Sequence, residues 1–391
     1  MKALWAHDHI FQISVSREVY SRGKFPYVVW KRYLSFFESL YIIGRCKQIK
    51  QNYNLSKLTL SSGKDVTFFF TPPLNTLKAF IFRRKNVRRK IQKIVKNMDV
   101  IIARLPSFNG ELAAKAAIVQ GKPYAIEVVA CPWDSLWNYG NWKGRIMAPR
   151  EYIVTKRLVR KAPYALYVTK NFLQNRYPCK GITVGISNVE IPEPEKLALN
   201  NRLASITSKR PLTIGMIGDL GTKIKGIQVA MKALQCVERQ LPDCILKVLG
   251  GGDPNPWMES AKKLNLADHI EFCGMLSSGQ AVFDWLDTVD IYIQPSFQEG
   301  LPRALVEAMS RACPALGSTA GGIPELLAPE CTHKPGDYQK LSKDILEAYR
   351  NPDWRVEQAK RNFEHAAQYA KEIIDAKRSQ FWKKFAEFAR R

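Results

Sequence analysis

Short apolar runs that break off at polar or glycine-rich corners alternate along most of the chain with stretches whose apolar positions recur at helical spacing. Runs of the first kind fit strands buried on both faces, and stretches of the second fit helices laid against them. The alternation therefore predicts parallel sheets covered by helices, an α/β fold. KALWA, DVTFFF, DVIIAR, YAIEVV and ALYVT read as strands in the first half, and LTIGMIG, CILKVLGGG, HIEFCGM, DIYIQP and PALGST in the second. Between them SNVEIPEPEKLALNNRLASITSKRP carries Pro192, Pro194 and Pro211 with little periodicity, which places a linker within residues 192–211. The expected division is an N-terminal domain over 1–200, a linker at 201–211, a second domain over 212–370 and a terminal helix over 371–391 that packs back on the first domain. Ile374, Phe381, Phe385 and Phe388 share one face of that last helix.

Length agrees with this division, because 391 residues exceed what one hydrophobic core usually serves. Charge adds a partner: 60 Lys and Arg against 35 Asp and Glu leave a net +25. That excess suits nucleic acid, an anionic membrane surface or phosphorylated small molecules, and by itself does not choose among them. The eight cysteines are scattered without a C-x-x-C pair and read as reduced, buried thiols of a cytoplasmic protein. The five histidines have no metal-ligand spacing. MKALWAHDHIF lacks the unbroken apolar stretch of a signal peptide, and no apolar run reaches the length of a membrane span.

Candidate chemistry concentrates in SFQEGLPRALVEAMSRACPALGSTAGGIPELL, Ser296 to Leu327. A strand ends at DIYIQPS, and PRALVEAMSRA is helical by the spacing of Leu305, Val306, Met309 and Ala312, with Pro302 at its start. Gly300 lies at the corner, where the amides of Gly300, Leu301 and the first turn form a positive pocket. Glu299 precedes that pocket and Glu307 follows it by about two turns. Carboxylates do not bind phosphate; they accept hydrogen bonds from vicinal hydroxyls of a ribose or a hexose. A ligand with a sugar at one end, a ribose at the other and phosphates between them would use every part of this corner.

EGLPRALVE resembles the E-x7-E signature of the family 4 retaining glycosyltransferases, GSTAGGIPELL is similar to that family's loop after the next strand, and SNVEI resembles its Ser-Asn turn. The resemblance covers the second half well and the first half loosely. It implies the GT-B fold, two Rossmann-like domains whose parallel sheets face each other across a cleft. It also implies that Glu299 contacts donor-sugar hydroxyls, that Glu307 contacts the ribose, and that Gly300, Leu301 and Pro302 meet the sugar or diphosphate. Lys225 matches the family's Lys-Gly element and is the expected diphosphate cation; Asp219 stands where relatives often carry an arginine, with Lys223 and Gly221 nearby as further donor contacts. Gly274, at the end of FCGML, falls near the nucleobase position.

IGMIGDLGTKIKGIQVAMKAL is itself a strand, a glycine-punctuated loop with two lysines and a helix, a shape suited to phosphate but not a P-loop. Glycosyl transfer builds negative charge on the departing diphosphate, which Lys225 and the helix start after Gly300 are placed to stabilise. No D-x-D cluster follows a strand, so metal independence is expected; the resemblance implies retention by front-face attack, with Glu299 and Lys225 at the reacting centre. No resident cofactor is expected, only a UDP- or GDP-sugar as donor.

The acceptor, a glycan or a lipid-linked glycan of bacterial surface polysaccharide synthesis, is expected on the N-terminal domain. His7, Asp8 and His9 after KALWA, Arg104 after DVIIA and Glu127 in YAIEVV are strand-end candidates there, each with a structural role as the competing reading. RRKNVRRKIQKIVK, Arg83 to Lys96, holds eight basic residues and no acid, with Val87, Ile91, Ile94 and Val95 on one helical face. It suits anionic lipid at the inner face of the membrane, with the basic, aromatic C-terminal helix as support. A core-facing apolar stripe accounts for the same pattern. Two other functions compete: a sugar-nucleotide epimerase of similar fold, and a non-enzymatic polyanion or nucleic-acid binder. The basic run contains no aromatic residue on which bases could stack, which argues against nucleic acid.

Overall fold

The computed structural model describes the chain except residues 51–53, 56–57, 73–76, 139–141 and 207–210, and gives the backbone alone over 77–83. The chain forms two units. The first comprises Met1–Leu136, Trp142–Ile186 and Ala376–Arg391; the second is Ser187–Asp375 with a short piece from Trp137.

The first unit runs β1 (Lys2–Ile13), β2 (Val19–Ser21), α1 (Tyr27–Leu34), β3 (Ser39–Gln48), β4 (Thr59–Leu60), β5 (Val66–Thr71), α2 (Leu77–Lys96), β6 (Val100–Leu105), α3 (Phe108–Val119), β7 (Tyr124–Val128), α4 (Pro132–Trp137), α5 (Trp142–Lys161), β8 (Tyr164–Tyr167), α6 (Phe172–Arg176) and β9 (Ile182–Gly185). Its parallel strands lie in the order β5-β3-β1-β6-β7-β8-β9, and β2 pairs antiparallel with the far end of β1 on one side and with β4 on the other. Strand order reverses between β1 and β6, where consecutive crossovers leave opposite faces of the sheet and open a crevice at the carboxyl ends.

β1 does not stop after KALWA as expected. Ala3–Ala6 pair with β3 and β6, the register shifts between Ala6 and Ile10, and the strand continues to Ile13 against β3 and β2. His7, Asp8 and His9 therefore sit at an irregularity inside a long strand, held there because β2 and β3 supply backbone partners beyond it. β3 was not among the expected strands; its LYII run is nonetheless central, with Leu40, Ile42 and Ile43 fully buried. On α2 the apolar stripe Val87, Ile91 and Val95 packs into the core, and Lys85, Arg88, Arg89 and Lys93 point outward. The side chain of Arg83 lies outside the described residues.

The second unit runs α7 (Lys196–Ile206), β10 (Thr213–Ile217), α8 (Ile227–Val237), β11 (Ile245–Leu249), α9 (Asn255–Lys263), β12 (Ile270–Gly274), α10 (Gln280–Asp287), β13 (Ile291–Gln294), α11 (Arg303–Ser310), β14 (Ala315–Ser318), β15 (Thr332–His333), α12 (Tyr338–Arg350), α13 (Pro352–Ala367) and the start of α14 (Lys371–Ala389). All six strands are parallel, in the order β12-β11-β10-β13-β14-β15.

The division comes earlier than the linker expected at 201–211. Residues 196–206 are helical, Ile206 packs with Ala312, Ala359 and Phe363, and buried Arg202 donates to the carbonyls of Leu286 at 2.9 Å and Arg311 at 3.4 Å. These contacts fasten the stretch to the second unit. From Ala376 onward α14 belongs to the first unit, with Phe381, Trp382 and Phe385 buried there. Trp382 meets Tyr33 with ring centroids 5.2 Å apart, whereas Phe388 is partly exposed. Most of the aromatic face of this helix is thus packed against protein, which leaves little of it for lipid. Among the described residues no helix is long and apolar enough to cross a membrane. The cysteines divide: Cys131, Cys244, Cys313 and Cys331 are buried, but Cys46 and Cys236 are exposed.

Candidate active site

β13 is one of the two central strands of the second sheet, beside β10, and every residue of it is buried. A relay of polar side chains leaves its carboxyl end: Tyr292 donates to Gln294 Oε1 at 2.7 Å, Gln294 Nε2 donates to Ser296 Oγ at 2.8 Å, and Ser296 Oγ donates to Glu299 Oε1 at 2.8 Å. Glu299 Oε1 also accepts from Gln294 Nε2 at 3.1 Å and from Lys225 Nζ at 2.7 Å. All of these bonds fall on one oxygen, and among the described residues none reaches Oε2. With its side chain only 8% exposed, the carboxylate is fixed in place on one side and has acceptor capacity on the other.

The backbone beside it is clamped by the loop after β14. The Gly322 amide donates to the Gly300 carbonyl at 2.7 Å, and Gly321, at φ 60°, lies so close that a Cβ would meet the Glu299 carbonyl oxygen at 2.1 Å. GSTAGG thus has a steric reason for its glycine pair. Among the described residues no backbone carbonyl accepts from the amides of Gly300 or Leu301, and Pro302 has no amide hydrogen to offer. The N-terminus of α11 begins immediately after them.

Glu307 stands further along α11, half-buried, and no described residue hydrogen-bonds its carboxylate. Burial raises its pKa above the ordinary glutamate value, with the Arg303 guanidinium one turn earlier acting in the opposite direction. A carboxylate withdrawn from water without protein donors is suited to hydroxyl donors brought by a ligand.

Lys225 reaches Glu299 because Gly218, at the end of β10, leaves room: a Cβ there would lie 2.9 Å from that of Lys225. Gly226 follows at φ 78°, where a Cβ would meet the Pro295 carbonyl oxygen at 2.0 Å. The Phe297 amide donates to the Ile224 carbonyl at 2.7 Å, joining the loops after β10 and β13. Asp219 turns inward on its own loop, its Oδ1 accepting from the Gly221 amide at 2.8 Å, and Lys223 is exposed. Gly274 ends β12 at φ 70°, with open space on its Cβ side and its carbonyl accepting from the Gly250 amide at 2.7 Å. Lys225, Glu299, Gly300, Leu301, Pro302 and Glu307 are brought together; Gly221, Lys223 and Gly274 lie on loops of the same sheet edge. Gln294 and Ser296 were missed by sequence reasoning. Ser296, three residues before Glu299 on a strand-end loop, was the one signal available.

In the first unit Arg104 and Glu127 pair with each other at 2.8 Å, and Glu127 also accepts from Tyr33 at 2.7 Å. Glu127 is satisfied beneath the surface, whereas the buried Nε of Arg104 has no hydrogen-bond partner among the described residues, and the Arg104 guanidinium lies 5.5 Å from the Phe25 ring centre. Asp8 accepts from the amides of Phe108 at 2.7 Å and Asn109 at 3.0 Å, so it fills the N-terminus of α3. It also lines a hollow of about 420 Å³ at the carboxyl ends of β1, β3, β5 and β6, together with Arg45, Phe108, Pro132, Met147 and Glu151. Burial keeps His7 and His9 neutral, the latter pushed down to about 4, and His9 Nε2 pairs with Ser21 Oγ at 3.0 Å.

The family model described as Glycosyl transferases group 1 matches residues 211–351, the span that holds the β10, β13 and β14 loops. Protein CapJ of Staphylococcus aureus is 32% identical over 382 residues, covering 97% of this chain and 94% of CapJ. The amylovoran biosynthesis glycosyltransferase AmsK of Erwinia amylovora is 31% identical over 186 residues, covering 43% of this chain and 42% of AmsK. The crystal structure of Anabaena Alr3699/HepE in complex with UDP-glucose superposes with a TM-score of 0.63 at 15% identity, covering 97% of this chain and 98% of that one, which establishes likeness of fold. With two parallel-sheet α/β units and near full-length similarity to a relative above 30% identity, the chain belongs to the group 1 glycosyl transferases of the GT-B fold.

Proposed function

We propose that this glycosyltransferase takes its sugar from a nucleotide diphosphate sugar, a UDP- or GDP-sugar, and transfers it with retention and without a metal ion. The observation that carries the reading is the Lys225 ammonium held 2.7 Å from Glu299 beside the start of α11, with the unpartnered Glu307 further along that helix. Lys225 and the amides of Gly300 and Leu301 meet the diphosphate and stabilise the charge that grows on it as the glycosidic bond breaks. Glu299 Oε2 accepts from hydroxyls of the donor sugar, and Glu307 accepts from the ribose diol. Gly274 borders the base, and Lys223 and Gly221 close the loop over the phosphates. Neither acid acts as a nucleophile or proton donor: Lys225, Gln294 and Ser296 hold Oε1 of Glu299 while sugar hydroxyls occupy its Oε2, and Glu307 is engaged with the ribose. The leaving phosphate instead takes the acceptor proton on the same face that it leaves.

The acceptor is a glycan or lipid-linked glycan of a bacterial surface polysaccharide. The printed name of AmsK and the UDP-glucose held by HepE support the setting and the donor class. The enzyme works in the cytoplasm, with the outward basic face of α2 directed to the inner surface of the membrane.

Thermal stabilisation and hydrolysis across a panel of UDP- and GDP-sugars test this reading. One donor should stabilise the chain and be turned over equally with and without EDTA, giving product of unchanged anomeric configuration by NMR. Failure of every donor to bind would overturn it.

A further inference from the structure

Phe297 stands on the loop between β13 and α11, directly after Ser296 and shortly before Glu299. Three segments from elsewhere in the chain meet it. Its amide donates to the Ile224 carbonyl at 2.7 Å, which ties it to the loop that carries Lys225. Its ring lies against Gly336, at φ 87°, where a Cβ would come within 3.3 Å of it. Its carbonyl accepts from Asn138 Nδ2 at 3.3 Å, a tie that comes from 159 positions away in sequence. The preceding carbonyl, of Ser296, accepts from Ser318 Oγ at 2.5 Å. Side chains from outside the loop thus hold two successive carbonyls of the turn that aims Ser296 Oγ at Glu299 Oε1.

Asn138 is half-buried and follows α4 directly. A short piece of chain from Trp137 belongs to the second unit, whereas the chain up to Leu136 and again from Trp142 belongs to the first. The elements on both sides of that piece are fixed independently of the donor loop. Asp134 of α4 pairs with Arg176 of α6 at 2.9 Å, Ser135 Oγ donates to the Cys131 carbonyl at 2.8 Å, and Cys131 Sγ lies 3.1 Å from the Tyr177 hydroxyl. Beyond the piece, Arg150 of α5 pairs with buried Glu111 at 3.0 Å. A side-chain amide on so firmly rooted a span has little freedom left to lose when it bonds a carbonyl. A carbonyl only accepts, so the position requires a donor, and an acid there would repel it.

We propose that Asn138 is a positioning residue of the transfer reaction: through the Phe297 carbonyl it holds the β13–α11 loop in the shape that presents Glu299 Oε2 and the amides of Gly300 and Leu301 to the donor. This rests on the donor reading above and adds to it a residue outside the family-matched span, 211–351.

Hydrogen exchange resolved to single amides, on the full chain without ligand, tests the positioning directly. Asn138→Ala should speed exchange at the Phe297 and Gly322 amides, whose bonds to Ile224 and Gly300 depend on the shape of the loop, and leave the amides of β11 as in wild type. Asn138→Asp keeps the size but has no hydrogen to give, so it should behave like the alanine variant, whereas Asn138→Gln keeps the amide and should restore most of the protection. Calorimetry with UDP- and GDP-sugars should show donor affinity reduced by roughly threefold to tenfold in the alanine and aspartate variants and largely kept in the glutamine variant. Wild-type exchange in the alanine variant, wild-type behaviour of the aspartate variant, or quickened exchange with no loss of donor affinity would overturn the proposal. If no UDP- or GDP-sugar binds the wild-type chain while loop exchange still quickens in the variants, the donor reading alone fails and Asn138 is confirmed as the residue that positions the loop.

Discussion

Glu299 and Lys225 each hold the other in place, and removing one has consequences for both. On the function proposed above, Lys225→Ala deletes the cation at the leaving group, so kcat should fall by about two orders of magnitude. The same change leaves Glu299, 8% exposed, with its Gln294 and Ser296 donors but no counter-charge, and stability should fall by about 1–2 kcal/mol, less than for a fully buried pair because Lys225 is 30% exposed. Steady-state kinetics and urea denaturation read the two effects separately. Glu307 behaves differently. Glu307→Ala should raise the donor KM by roughly tenfold with kcat little changed, the mark of a contact made equally in ground and transition states. Its pKa is raised by burial, and the ionised form accepts from a diol more strongly than the protonated one, with both oxygens available. Donor affinity should therefore fall as pH drops, beginning at a higher pH than an ordinary glutamate would give. An affinity profile flat down to pH values well below the usual glutamate range would remove Glu307 from the site.

At the scale of elements, strand ends and tight loops position these residues. The β10–α8 loop turns at Gly226, whose φ of 78° and 2.0 Å approach to the Pro295 carbonyl allow no side chain. Gly226→Ala should cost at least about 1–2 kcal/mol for the left-handed backbone alone, lower the unfolding midpoint and weaken donor binding together, since Lys225 is the next residue back. Strands such as DVIIAR and DIYIQP were legible because they are short apolar runs with polar ends. β3 was not singled out, although its LYII core is as apolar. The end of β1 was misplaced because a register shift at His7–His9 leaves no trace in local pattern; it exists only where β2 and β3 continue to offer partners. α7 was likewise read as linker. The prolines that flank it and its own polar residues hide a helix fastened by Arg202 to carbonyls of α10 and the end of α11.

At the scale of the whole molecule, α14 completes the core of the first unit from the far end of the chain, and Trp382 is fully buried. Trp382→Ala should destabilise by about 3–5 kcal/mol, read from chemical denaturation. Stability should also depend on pH through three histidines. Burial lowers the pKa of His7, and brings His9 and His333 down to about 4, from an ordinary 6.5. A depressed histidine pKa means that the unfolded chain binds protons first. The contribution of His9 and His333 is intact above pH 6.5 and is lost progressively as pH falls from 6.5 toward 4. Urea midpoints measured across that interval should fall, and should fall less in a His9→Asn, His333→Asn chain; an unchanged slope would mean that these histidines are not responsible.

The order of residues alone determined the α/β class, the doubled architecture and the strand-to-helix corner that carries Glu299, because apolar periodicity, glycine placement and the Glu299 and Glu307 spacing are local properties that each act within a few residues. Only tertiary structure decided which oxygen of Glu299 is held, that Arg104 and Glu127 answer each other, that Asp8 seals a helix, and that buried Glu111 is met by Lys115 and Arg150. Those outcomes depend on which side chains of distant segments meet, and a buried charge takes its role from the partner that it finds there.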